Sequence, residues 1–203
     1  MPIGPGGLDS NGIWQFGEDD SEALASDLLN LGMGSVSTAI STLGGVLQVV
    51  STTKTDTFSA STASGAFTAV TGLSAAITPS ATSSKILVRV TLVGASSRDS
   101  GAGMGDFRIK RDSTAIAIGD AAGSRARLSG AALVSVGYAL GIVGSSAEVL
   151  DTPSSTSAIT YSVDIYNSSS STETLYVNRT DNNSDSATRP RAVSTITLME
   201  VPG

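Results

Sequence analysis

The chain has 203 residues, enough for one sizeable β domain plus an appendage, and contains neither cysteine nor histidine. That composition excludes disulfides, thiolate zinc sites, cysteine nucleophiles, and the usual imidazole base and metal ligand. The net charge of −6 and pI near 4.5 lack the basic footprint of a phosphate-binding surface, so no nucleic-acid partner is expected.

Small residues dominate, aromatics are only 4 %, and such chains pack thin, closely spaced sheets. No stretch approaches the roughly 20 apolar residues of a membrane span. The first eight residues have neither the basic region nor the apolar region of a signal peptide, so synthesis in a reducing cytoplasm is expected, with release by another route such as cell lysis.

Residues 1–20 read as an irregular arm punctuated by Gly and Pro. Within it Ile13, Trp14 and Phe16 place three large apolar side chains together. Buried aromatics are frequent anchors, so this group is expected to dock on a partner protein, the alternative being that it folds back on its own domain. Residues 20–43 read as a helix within a stalk segment, 21–45. Asp20 or Ser21 supplies the N-cap, and Glu18, Asp19, Asp20 and Glu22 place negative charge at the positive end of the macrodipole. Leu29, Met33, Val36, Ile40 and Leu43 follow at heptad spacing, with Leu24 and Leu28 upstream. Gly32 and Gly34 each cost about 1 kcal/mol against Ala. A helix this weak and narrow needs a partner surface, either its own domain or other copies of the chain. Gly44 and Gly45 end it.

From residue 46 the pattern is β. Extended segments are predicted at 46–50, 53–58, 67–70, 73–77, 85–93, 107–111, 114–118, within 128–142 around 134–138, and at 147–150, 159–166, 175–178 and 193–201. The clearest is 85–93, with Ile86, Val88, Val90 and Leu92 on one face. Residues 107–118 form a hairpin about Asp112 and Ser113. Roughly ten strands at such spacing, without helical crossovers, fit an antiparallel sandwich or barrel.

Motifs with chemical potential are few. Ser51 and Lys54 have the Ser-x-x-Lys spacing of serine acyl-enzymes, but they lie in β-like alternation and lack the companion motifs. Asp181, Asn183 and Asp185 imitate the opening of a calcium loop. Ser186 and Ala192 stand where Gly and Glu are required, so a solvated loop is expected, with a looser site as the lesser reading. The glycine-rich 101–105 opens no helix. Asn167 and Asn178 fit the glycosylation pattern without a secretory context. Arg125 and Arg127 are expected to meet acids of their own or a neighbouring subunit. Asp99, Asp106, Glu148 and Asp164 could serve a glycosidase, but no spacing singles out a pair.

Two stretches resemble a domain of tailed-bacteriophage virion proteins, of the type found in tail fibres and minor structural proteins of marine phages. One comprises VLQVVSTTKTDTF at 46–58, VTGL at 70–73, ITP at 77–79 and SKILV at 84–88. The other comprises RDS at 111–113, GDAAGSR at 119–125, DTP at 151–153, YVNR at 176–179 and TITLME at 195–200. The arm, GIWQFGEDD at 12–20 with SDLLNL at 26–31, resembles the N-terminus of siphophage minor tail proteins. The resemblance implies homotrimeric fibre or spike parts, attached by the N-terminus, and brings no catalytic residues or cofactor.

Together these readings give a mainly β protein. Its expected parts are an anchoring arm (1–20), a short trimerising helical stalk (21–45) and an antiparallel, jelly-roll-like β-sandwich head (46–203). The expected function is a non-enzymatic tail fibre or spike component of the virion, with tail favoured over head. It docks on other virion proteins through 1–20 and meets a host-surface glycan or protein through loops 96–105, 167–174 and 179–191. No metal or membrane insertion is expected. The alternatives are a capsid decoration or head-fibre protein and, further off, a polysaccharide depolymerase.

Overall fold

The computed structural model describes residues 7–8, 14–15, 45–96, 106–131 and 142–203. The chain divides into two units, Met1–Gly45 and Val46–Gly203. In the first, β1 (Gly7–Leu8) and β2 (Trp14–Gln15) pair antiparallel, with Leu8 opposite Trp14. The arm read as irregular therefore contains a two-residue ladder at Trp14. Ile13, Phe16, the helix expected over 20–43 and its seam of Leu29, Met33, Val36, Ile40 and Leu43 lie outside the described residues.

The second unit is built from β3 (Gln48–Lys54), β4 (Phe58–Thr62), β5 (Phe67–Ile77), β6 (Lys85–Ser96), β7 (Phe107–Arg111), β8 (Thr114–Ile116), β9 (Val143–Asp151), β10 (Ile159–Tyr166), β11 (Glu173–Val177) and β12 (Ser194–Val201). All pairings are antiparallel. In the larger sheet β6 is central. One of its edges pairs with β9 from Ile86 to Gly94; the other pairs with β12 over Lys85–Thr91, then with β11 over Gly94–Ser96. Outside β12 lies β3, and outside β11 lies β4. β11 and β12 thus run end to end along β6, with residues 178–193 looped out between them. β3 and β4 run end to end in the same way, broken only at 55–57. The smaller sheet has the order β5-β10-β7-β8.

Period-two alternation places the core. On β12, Ile196 and Leu198 point inward while Thr195, Thr197 and Met199 point out. On β6, Ile86, Val88, Val90 and Leu92 are fully buried. They meet Leu73 and Ile77 of β5, Phe107 and Ile109 of β7, and Tyr161, Val163 and Ile165 of β10 in one core shared by both sheets. The architecture is an antiparallel, sandwich-like β fold. Each such aliphatic side chain contributes about 1.5–3 kcal/mol on burial.

Several elements depart from the sequence reading. The two short strands expected at 67–70 and 73–77 are one strand, β5. Its register on β10 shifts, Ser162 facing Ser74 but Asp164 facing Ala69, so β5 bulges between them. Gly72 sits in that bulge at φ 82, where a Cβ would also crowd the Lys54 Nζ at 3.2 Å. β8 stops at Ile116 because Ala117 turns to φ 50. β9 begins at Val143, four residues before the expected strand, because pairing with β6 carries its weak Val-Gly-Ser-Ser start. Strands expected around 134–138 lie outside the described residues. Just before them, Gly130 bridges to Phe107, and a Cβ on Gly130 would come within 2.4 Å of the ring.

Candidate functional site

Without histidine or cysteine, any chemistry must come from carboxylates, hydroxyls and cations, and several of these have an internal task among the described residues. Ser51 and Lys54 are three residues apart on β3, so they face opposite sides of the sheet. Ser51 is exposed, its hydroxyl 2.9 Å from the Thr197 hydroxyl. Lys54 turns inward, only 4 % exposed, and donates to both oxygens of Asp56 at 2.9 and 2.8 Å. The hydrogen bond from Lys54 lowers the Asp56 pKa.

Three carboxylates form clamps, Glu200 and Asp151 on the core side and Asp164 on an outer face. Glu200, on an inward position of β12, accepts from the Gln48 amide at 2.6 Å and from the Ser80 backbone N–H and hydroxyl at 2.7 and 2.6 Å. Burial alone pushes this carboxyl up, but the hydrogen bonds from Ser80, Ser84 and Gln48 outweigh it and hold the pKa at about 2. Asp151, at the end of β9 in the larger sheet, accepts from Arg111 at 3.0 Å and from the Tyr161 hydroxyl at 2.6 Å, both on the smaller sheet. Burial first, then the Asp151 hydrogen bond, push the Tyr161 pKa far above the ordinary tyrosine value. Asp164 lies on the outer face of the smaller sheet between two β7 cations, Arg108 at 2.9 Å and Lys110 at 3.0 Å. The Arg108 guanidinium also covers the Phe67 ring at 3.9 Å.

The candidate glycosidase carboxylates fall on both sheets. Asp164 is held by two cations, and Glu148 stands exposed on the opposite sheet, 3.8 Å from Arg89. Asp106 opens β7, and Asp99 lies outside the described residues. Among the described residues no three Asp or Glu gather as a metal site. Asp181 receives its own loop's Asn182 N–H, and Asn183 accepts from Arg191 at 2.7 Å. Arg125 and Arg127 make no ion pair among the described residues; Arg127 instead donates to the Gly119 carbonyl.

Two buried asparagines close the loops expected as contact surface. Asn178 is fully buried at φ 62, an αL conformation that Asn tolerates. Its amide donates to the carbonyls of Lys54 and Asp56 at 2.8 and 3.0 Å, across the break between β3 and β4. Its side-chain oxygen accepts from the Ser194 hydroxyl at 2.7 Å, and that hydroxyl receives the Val93 N–H. One residue thus pins the base of loop 179–191 and both strand breaks. Asn167 acts likewise for loop 167–174, donating to the carbonyls of Thr62 and Ser171 and accepting from Ser169 N–H. Buried and fully bonded, neither amide is available for glycosylation.

Above its base, loop 179–191 is tied by three arginines. Arg179 stacks over the Tyr176 ring at 4.4 Å and donates to the carbonyls of Thr180 and Asp181. Arg189 faces Asp181, and Arg191 bridges back to Arg179. Residues 182–188 at its tip are exposed. The arrangement presents a shaped polar surface and gathers no reactive groups. Of loop 96–105, residues 97–105 lie outside the described residues. Sequence reasoning missed the clamps. Their one available signal was a charged residue in an inward register, as in Ile196, Leu198, Glu200. Comparison with protein-family models and with curated proteins gives no match.

Proposed function

We propose that the chain is a non-enzymatic structural part of a tailed-phage virion, a tail fibre or spike (minor tail) protein. Residues 1–20 anchor it to other virion proteins, residues 21–45 join copies into a homotrimer, and the β unit is a jelly-roll head. Loops 167–174 and 179–191 form the surface offered to a host glycan or protein.

The observation that carries this reading is the interleaving of the strands. β4 and β11 only prolong the lines of β3 and β12. The eight strands left place first, eighth, third and sixth in one sheet, and second, seventh, fourth and fifth in the other. That interleaving supports the jelly-roll reading, an architecture frequent in viral capsid and lectin domains. Fold alone names no function. What narrows it is where the virion-like stretches fall: they contain Lys54, Asp56, Gly72, Arg111, Asp151, Asn178 and Glu200, the residues that hold the sheets and strand breaks together. The resemblance therefore includes several of the fold's internal joints, together with the exposed segment 119–125.

The test is immunogold labelling of purified particles with antibodies against the β unit, paired with adsorption assays using the matching antibody fragments. Label at the tail and blocked adsorption are expected. Label on the capsid would instead favour a decoration or head-fibre protein, and unlabelled particles would overturn the reading.

A further inference from the structure

The outer face of the larger sheet is not uniformly polar. Across the strands in register, Val49 stands opposite Met199, Met199 opposite Leu87, and Leu87 opposite Leu150. These four side chains form one apolar row across the sheet on the side away from the core. Its two ends are open, Val49 being 56 % and Leu150 50 % exposed. Leu47 occupies the next outward position beside Val49, and Val46 precedes it; both are exposed. The following rows of the same face, Ser51-Thr197-Arg89-Glu148 and Thr53-Thr195-Thr91-Ser146, are polar. Of the five large hydrophobics exposed among the described residues, three, Leu47, Val49 and Leu150, therefore belong to one end of one face, and Val46 adjoins them in the chain. Single exposed apolar residues need no explanation, but a contiguous row marks a contact surface.

Three observations select the occupant. First, the row is narrow. Four strands about 4.8 Å apart span about 14 Å, too little to provide the roughly 800 Å² per partner of a standard stable interface. Such a patch holds a partner only if something else keeps that partner near. Second, the row begins where the chain enters the sheet. Val46 follows directly on the segment whose heptad seam ends at Leu43, and four extended residues reach at most about 14 Å. Copies joined through that seam would deliver their rows to one place at high effective concentration. Third, the polar row beside it carries one cation and one anion, Arg89 and Glu148. They are 66 % and 55 % exposed and 3.8 Å apart, a loose pair that neighbouring copies can exchange without net charge. An anionic membrane or nucleic acid would need a cationic excess.

We propose that the row Val49-Met199-Leu87-Leu150 is the surface on which the β units of neighbouring copies of this chain meet. The inference rests on the self-association reading above and adds to it a place. Contact through this face leaves the loop ends of the sandwich uncovered.

The chain's lack of cysteine makes the test clean, because one introduced thiol is unique. In the full-length protein, Val49→Cys is expected to form covalent dimers on mild oxidation. Thr160→Cys, exposed on the other sheet, is expected to remain single. The double variant Val49→Glu/Leu150→Glu changes only outward side chains and is expected to weaken association at least about tenfold with little change in melting, because contact would bury its charges. A parent chain that is oligomeric, with a double variant of unchanged mass and Val49→Cys linking no better than Thr160→Cys, would overturn this inference alone. A monomeric parent chain would remove the self-association reading together with it.

Discussion

At the residue scale, the β unit is held by polar side chains buried for bonding. Glu200 shows this most clearly, because an ionised carboxylate stays inside the fold with only neutral donors around it. Its folded pKa of about 2 lies below the ordinary 4.5. Its contribution is therefore complete above about pH 4.5 and is lost as pH falls toward 2. Melting temperature against pH should fall less steeply across that window in Glu200→Gln than in the parent. At neutral pH, Glu200→Ala should cost about 1–2 kcal/mol in urea unfolding, because it removes the acceptor of three part-buried hydrogen bonds. Asn178 allows its conformational and bonding roles to be separated. Asn178→Gly keeps the positive φ and loses the hydrogen bonds, whereas Asn178→Ala loses the bonds and also strains the αL backbone. Ala should be the less stable of the two by about 1 kcal/mol in the same assay.

At the element scale, the strand breaks are as informative as the strands. Loop 179–191 leaves a nearly continuous β11–β12 line, and its base is closed by Asn178, Ser194 and Val93. Replacing 182–188 with a short glycine-serine turn should therefore leave the melting transition within about 1 kcal/mol of the parent, since loop-closure entropy changes slowly with length. If the tip touches the host, adsorption of particles carrying the shortened chain should fall. Strands β6, β7, β10 and β12 were legible because their apolar residues alternate over five or more positions. β5 read as two because Thr71-Gly72 has turn chemistry, and only pairing with β10 reveals a bulge instead of an end. β4 was largely missed: Phe58-Ser-Ala-Ser-Thr62 has one large apolar residue, and its β character comes from β11. The pairing order and the clamps depend on residues distant in sequence, 56 positions for Arg108 and Asp164 and 152 for Gln48 and Glu200. No local pattern encodes such partners.

At the scale of the whole molecule, the chain combines a strongly cross-linked β unit with an N-terminal region of anchor-like and seam-like sequence. The division falls at Gly45–Val46. The clamps tie the β unit's strands and sheets together without disulfides, which suits the proposed appendage. We propose that the outer apolar row and the upstream seam-like sequence both serve contacts between copies of the same chain. The proposed appendage is thus a symmetric assembly in which stalk and head contacts reinforce one another. Light scattering of the purified full-length protein, followed through dilution, tests this most directly. A mass three times that of the 20.3 kDa chain is expected; the mass of a single chain at every concentration would contradict it.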